Sequence, residues 1–375
     1  NIYFYLMENV KEMGVKEKIT DWFFKIKGSK QENFGAYKFD RNFLMNACPL
    51  GAAHLAQIIR AKGPNTLLSS ACASTTQAIG VAEDWIRVGR CKRVIVIGGE
   101  NATSPAQNQW VGSGFLALGA ATVKKRVSEA AKPFDSERNG TILGAGAVGL
   151  VIENAARVRA RGMNGQAEIL GTHMANSAYH TFNIDVPHMS REMTRFITRM
   201  EQQHQMTKSE YAKKLLFMSH ETYTPARGGS ADAEVTALKT AFKDYLNYIC
   251  ISNTKGFTGH TLGAAIEDVV MVKALQKRKA PPIANLTSIP DHFKALNFSG
   301  KKAIQSEYGL HLAAGFGSHF AFLLIKRIEE NTFDDNTAYT KDQYIAAIDA
   351  EAVRRGYMPQ GHSLTSLSGP DPWLQ

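Results

Sequence analysis

Apolar and polar positions follow two rhythms along this chain. Across residues 73–88, apolar side chains at Ala78, Val81, Ala82, Trp85 and Ile86 form one stripe at helical spacing, and Gly89 stands where helices commonly stop. Residues 93–99 (RVIVIGG) form a short continuous apolar run, which predicts a buried parallel strand. Residues 141–153 (TILGAGAVGLVIE) predict a glycine-laced strand, apolar on both faces. A polar, His- and Met-rich stretch, 173–209, interrupts the rhythm. It resumes with strands predicted at 214–220 and 248–254 and helices at 231–242 and 262–275, the last closed by Pro281-Pro282. Residues 309–327 predict two strands around a glycine turn. Nearer the start, 1–46 read as one or two short helices and an aromatic-rich loop, 49–62 as a helix and 65–71 as a strand.

Strands alternating with helices in both halves predict α/β layers around a mostly parallel sheet, and hint at duplication without a clean repeat. The 375 residues suffice for a large core in two halves. Beyond about residue 327 the chain turns polar through SGPDPW, the pattern of a linker or appended segment.

Composition narrows the class. No apolar run reaches the roughly 18–20 residues that span a bilayer, and the first residues lack the features of a signal peptide, so the expected location is cytoplasmic. The four cysteines lie far apart without a CxxC pair, which points away from metal and disulfide frameworks. The formal charge is +10, but the cations are scattered, as on a solvated surface rather than in a nucleic-acid groove.

Within this frame Cys72, in SSACAST, falls between a predicted strand and a predicted helix. Unpaired N–H groups and the macrodipole at a helix start favour an anion, so a thiol there loses its proton more easily and becomes a nucleophile. The alternative from position alone is a buried structural cysteine. His220 closes one predicted strand, and His260 follows another after a glycine loop. Carboxyl ends of parallel strands converge on ligand crevices, so Cys72, His220 and His260 form a candidate thioester site. Lys255 is a candidate for the same site or a surface lysine, and GFGSHF (315–320) reads equally as a plain hairpin turn.

These segments together resemble the β-ketoacyl synthases of the thiolase-like superfamily. SSACAST resembles the nucleophile segment, and KPFDSERNGTILGAGAVGLVIE the block that follows it. SHETYTP resembles the first histidine motif, NTKGFTGHTLGAA the lysine and second histidine motif, and AAGFGSHFAF the Phe-Gly turn. The resemblance implies a thiolase-like layered αβαβα architecture from two related halves. These are 1–172 with the nucleophile and 173–327 with both histidines, followed by a tail or linker at 328–375. It implies a decarboxylative Claisen condensation in fatty-acid or polyketide elongation. Cys72 would hold the acyl group; His220 and His260 would promote loss of CO₂ from a malonyl-type extender; Lys255 would order the surroundings of His260. The N–H groups of Cys72 and Phe316 would form the oxyanion hole, with Phe316, between Gly315 and Gly317, gating an acyl pocket to which Phe115 and Leu116 also contribute. Thr222 and Thr224 would contact the phosphopantetheine arm, and Glu267 would be the family's helix acid, although the helix after His260 is about two residues shorter here. No cofactor is held permanently, since the phosphopantetheine thioester arrives on an acidic acyl carrier protein or carrier domain. A homodimer is implied, and several phrases resemble synthase domains of larger multidomain proteins.

Departures accompany the resemblance. GFGSHF lacks the usual second glycine and asparagine, and Glu221 stands where the family has glycine. A carboxylate there would raise the pKa of His220 if it pointed inward, or else would simply be solvated. Cys72 comes early, as if the opening strands and helices were missing. A non-catalytic synthase partner and a CoA-dependent thiolase-like acyltransferase are the alternatives; the former usually lacks the cysteine, and the latter uses a second cysteine late in the chain.

Overall fold

The computed structural model describes residues 50–329 apart from 164, 226–228 and 301–302, together with 14–18, 21, 346, 350 and 353 near the ends. The helices and loop expected within 1–46, and the tail at 328–375, lie almost wholly outside the described residues. The chain forms two compact units, Asn1–Leu67 and Leu68–Gln375. In the first, helix α1 (Gly51–Ile59) ends at Arg60, whose left-handed backbone (φ 56°) closes the last turn.

The second unit begins without the strand expected at 65–71. That segment joins no ladder and is largely exposed, and only Ser70 makes an isolated bridge. Apolar composition favours a strand only where a partner offers a ladder, and among the described residues none does. Helix α2 (Ser74–Arg87) follows, and Gly89 (φ 74°) takes the turn beyond it. Its buried residues are Thr75, Thr76, Ile79, Gly80 and Ala82, so the face toward the core is rotated from the expected stripe.

Strands β1 (Arg93–Asn101) and β2 (Ala145–Glu153) pair with each other, antiparallel. Helix α3 (Pro105–Ala117), capped by Ser104 and opened by a proline, lies between them in sequence. The expectation of a fully buried parallel strand at 93–99 is therefore corrected. Inward residues such as Val96 are buried, while Ile95, Ile97 and Val151 are exposed on the other face.

The remaining strands form one sheet in the order β3-β8-β7-β4-β5-β6. They are β3 (Ala167–Asn176), β4 (Leu215–Met218), β5 (Cys250–Ser252), β6 (Asn297–Phe298), β7 (Tyr308–Gly315) and β8 (His319–Arg327). Strands β4 to β7 run parallel, but β8 is antiparallel to β7 and to β3, so the sheet is mixed rather than mostly parallel. The tight turn at Gly317 (φ 84°) explains the reversal, since a hairpin can join only antiparallel strands. The expected junction at 172/173 falls inside β3. The polar stretch after it contains a 19-residue helix, α4 (Val186–His204), which buries Met189, Met193, Phe196, Ile197 and Met200.

Helix α5 (Gly229–Phe242) packs with α4 on one face of this sheet, around Phe217, Leu310 and Phe322. On the other face, α2 and α7 (Ile266–Lys277) are sandwiched between the sheet and β1–β2, around Ile79, Val96, Met218, Met271 and Leu323. The layers are helix, sheet, helix, sheet. The fifth layer of an αβαβα stack, over the outer face of β1–β2, is not present among the described residues.

Candidate active site

Cys72 sits in a turn braced by its neighbours. Ala71 adopts a left-handed backbone (φ 50°), unusual for a residue with a Cβ. The Ser74 hydroxyl accepts from Ser70 N at 2.9 Å and donates to Ala71 O at 2.6 Å, which holds that conformation. The turn leads into α2, with Ala73 as the residue before the first helical one. Thr75 Oγ1 donates to Gly263 O at 2.5 Å, tying the start of α2 to the loop after His260. Gly315 lies against the same turn: a Cβ there would stand 2.5 Å from Ser70 O and 2.9 Å from Cys72 N. Only glycine permits this approach, so the end of β7 and the cysteine turn are in direct contact.

His220 lies two residues beyond β4. Its backbone N–H donates to Glu234 Oε2 at 2.9 Å, and Ser219 Oγ donates to the other oxygen. His260 is held by the N-terminal half of the fold: its N–H donates to Ile142 O at 2.7 Å, and its carbonyl accepts from Gly144 N at 2.9 Å. A Cβ at Gly144 would lie 2.3 Å from Thr258 O, so the TILGAG segment needs glycine there to pin the histidine. The short helix α6 (Lys255–Thr258) precedes it. The helix expected from Leu262 begins only at Ile266, because residues 260–265 form the loop that crosses the cysteine turn.

These elements bring the three expected groups together. His260 Nε2 lies 3.1 Å from Cys72 Sγ. The His220 and His260 rings are 5.8 Å apart and nearly perpendicular. Lys255 Nζ forms a buried ion pair with Glu267 Oε1, so the shortened helix still brings its acid to the lysine. Phe115 stands between the His260 ring (6.4 Å) and the Phe316 ring (5.5 Å). Phe182, in the loop before α4, packs edge-on to Phe316 at 5.1 Å. Sequence reasoning missed Phe182, because its contact is made only when that loop folds over the Phe-Gly turn. Thr222 is buried, its hydroxyl 3.2 Å from both Thr224 and Ser230; Thr224 is half-buried. The open depression lined by Gly99, Glu100, Asn101 and Ala147 holds none of these groups.

The electrostatics correct two expectations. Burial pushes the Cys72 thiol up to about 12, and the nearby Lys255 charge offsets only part of this. Burial, with Lys255, lowers His260 to about 3. The pair therefore rests as thiol and neutral imidazole, since desolvation outweighs the helix-end effect expected from position. Glu221 is fully buried and accepts from Ser230 Oγ at 2.6 Å, while its backbone carbonyl accepts from Asn253 Nδ2. It does not raise His220, which burial, Lys255, His260 and His311 hold well below the ordinary histidine range. Burial and the neighbouring Glu221 push Glu234 up to about 8. Burial would also raise Glu267, but Lys255 and His311 outweigh it and hold that carboxyl at about 2.

Among the described residues no cluster of His, Cys, Asp and Glu is arranged to hold a metal ion, and no helix is long and apolar enough to cross a membrane. A neutral imidazole against a thiol, with a second imidazole beside it, is suited to transferring a group onto sulfur and to donating hydrogen bonds to a developing oxyanion.

Residues 26–157 match the family model for the β-ketoacyl synthase N-terminal domain, and residues 166–287 that for the C-terminal domain. The chain is 31% identical over 272 residues to a 3-oxoacyl-[acyl-carrier-protein] synthase 2 of Coxiella burnetii, covering 71% of this chain and 63% of that protein. Among solved structures it is similar to a β-ketoacyl synthase from Burkholderia phymatum, with TM-score 0.60 and 28% identity over 70% of this chain and 61% of that one. It shares its fold with a type II polyketide-synthase complex of an acyl-carrier protein and its ketosynthase, with TM-score 0.67 and 23% identity over 80% of this chain and 70% of that one. The chain thus spans less than two thirds of the length of the curated relatives it matches.

Proposed function

The chain belongs to the β-ketoacyl synthase family, and from that premise we propose that it catalyses decarboxylative condensation of an acyl group on Cys72 with a malonyl-type extender. The single observation carrying this reading is the 3.1 Å approach of His260 Nε2 to Cys72 Sγ, with the His220 ring alongside.

In the first half-reaction, Cys72 Sγ attacks the carbonyl of an incoming acyl thioester while its proton passes to the neutral His260 imidazole. The oxyanion is held by the N–H groups of Cys72 and Phe316, a pairing supported by the contact of Gly315 with the cysteine turn. The C–S bond to the carrier arm then breaks, and the departing thiol takes the proton. His260 Nδ1 has no partner among the described residues, so nothing pins its tautomer, and the same ring can accept and later donate. In the second half-reaction, the extender loses CO₂ and its thioester oxygen gains charge. Neutral N–H donors from His220 and His260 stabilise that enolate, and one such donor is worth about 10²–10³ in rate. The enolate carbon attacks the acyl-Cys72 carbonyl, the C–S bond to Cys72 breaks to leave a 3-ketoacyl thioester, and the departing thiolate takes up a proton from solvent to restore the thiol.

Thr222 and Thr224 would meet the phosphopantetheine arm, and Phe316 with Phe182 and Phe115 would line the acyl entrance. The net charge of +10 supports docking of an acidic carrier protein, with binding weakened by salt. A homodimer is in keeping with the family and with the exposed apolar face of β1–β2. Retention of the cysteine together with both histidines favours a catalyst over a scaffold subunit.

Intact-mass measurement after incubation with an acyl-pantetheine thioester tests the reading. An acyl adduct is expected in the native chain and absent from Cys72→Ala; an adduct retained in Cys72→Ala removes Cys72 as acceptor. Release of CO₂ from a malonyl thioester is expected to require His220 and His260, and release undiminished in His220→Ala and His260→Ala removes their assigned roles.

A further inference from the structure

The first turn of α7 carries two consecutive buried acids that reach in different directions. Glu267 goes to Lys255. Asp268 accepts a hydrogen bond from Thr76 Oγ1 at 2.9 Å and another from His311 Nδ1 at 2.6 Å. Thr76, Asp268 and His311 are each at most 1% exposed. An acid, an imidazole and a hydroxyl removed this completely from water are costly unless they satisfy one another. Here the two oxygens of one carboxylate each receive a donor, from two different elements.

Those elements are the ones that meet at Cys72. Thr76 is on α2, one helical turn beyond the cysteine. His311 is on β7, four residues before Gly315, where a Cβ would collide with Ser70 O and Cys72 N. Asp268 therefore joins the helix that follows the sulfur to the strand that delivers the Phe316 turn, through side chains lying outside the nucleophile, histidine and Phe-Gly motifs. Glu267, its neighbour, ties in the segment bearing Lys255 and His260. One helix start thus braces all three parts of the site.

We propose that Asp268, with Thr76 and His311, is a positioning device that holds Cys72 Sγ in register with His260 and the Phe316 turn. Acyl transfer to Cys72 then depends on three residues that do not contact the acyl group. The proposal rests on the reading of Cys72 as acyl acceptor given above.

The test uses the full chain. Thr76→Val keeps the side-chain shape and removes the donor, Thr76→Ser restores the hydroxyl, and Asp268→Asn removes the charge at nearly constant volume. Two rates are measured beside thermal unfolding: acylation of Cys72 by an acyl-pantetheine thioester, and alkylation of Cys72 by iodoacetamide. Thr76→Val and Asp268→Asn are expected to slow acylation about tenfold or more, while Thr76→Ser stays within about threefold of the native rate. Alkylation is expected to slow in the same order as the thiol leaves His260. Native rates of both reactions in a folded Thr76→Val protein overturn the proposal, as does a Thr76→Ser protein as slow as Thr76→Val. Should Asp268→Asn fail to fold, the isosteric Thr76 pair carries the test. A native chain that never takes up the acyl group refutes the reading of Cys72, and the alkylation series then still decides the positioning role.

Discussion

The six-stranded sheet and the two-stranded sheet of this molecule are built to different standards of closure. Strands β4, β7 and β8 bury residues on both faces, between α4–α5 on one side and α2–α7 on the other. Strands β1 and β2 bury one face on α2 and present Ile95, Ile97 and Val151 outward. His220 lies beyond a strand of the closed sheet, and the Lys255–Glu267 pair is fully desolvated. Cys72 stands where the two regions meet, partly exposed as a residue although its thiol is desolvated. The comparison teaches that closure sets proton affinities in the site. His220 and His260 are held below the ordinary histidine range, and Lys255 keeps a carboxylate partner beside them.

The largest effect is expected within the closed region. Lys255→Met leaves Glu267 buried without its cation and is expected to cost about 3–5 kcal/mol in urea unfolding. The double change Lys255→Met/Glu267→Leu should recover most of it; no recovery would mean that the pair's charge is not the issue. Leu310→Ala, on β7 between two packed helical layers, is expected to cost about 2–5 kcal/mol, measured the same way.

Acid should expose the same contrast. The folded-state pKa of His260 lies near 3, below its ordinary 6.5, and that of Glu267 near 2, below 4.5. The unfolded chain therefore binds more protons between pH 6.5 and 3 for the histidine, and between 4.5 and 2 for the acid. Stability from both is fully present above those windows and is lost as pH falls through them. Replacing His260 by Gln should flatten the stability curve between pH 6.5 and 3; an unchanged slope would place the acid sensitivity elsewhere. The smallest effect is predicted on the open sheet, where Ile97→Thr should change stability by no more than about 0.5 kcal/mol. A loss of 2 kcal/mol or more there, on the scale of a core truncation, would mean that this face is covered in the intact protein.

Much of the site was legible locally. His220 and His260 were marked by their places beyond predicted strands, whereas position alone left Cys72 and Lys255 open and only the resemblance of whole motifs singled them out. The α2, α5 and β7–β8 elements were likewise readable from spacing and from the glycine turn. Other features were not. Residues 65–71 carry strand-like composition but lack a ladder partner, and α4 looked like a polar stretch because its buried face relies on methionines and a phenylalanine among charged residues. Phe182 joins Phe316, and Asp268 joins Thr76 and His311, across separations that no local pattern encodes.

The sequence alone thus determined which groups could do chemistry, and in what kind of layered fold. The tertiary structure decided their surroundings and partners: a Cys72 thiol whose pKa burial raises rather than one lowered by a helix end, a buried Glu221 turned to Ser230 rather than to His220, and an Asp268 carboxylate bonded to Thr76 on the helix that follows Cys72. The physical reason is that side-chain identity and spacing are written along the chain. Desolvation and hydrogen-bond geometry, which set proton affinity and alignment, arise only when distant segments exclude water from one another.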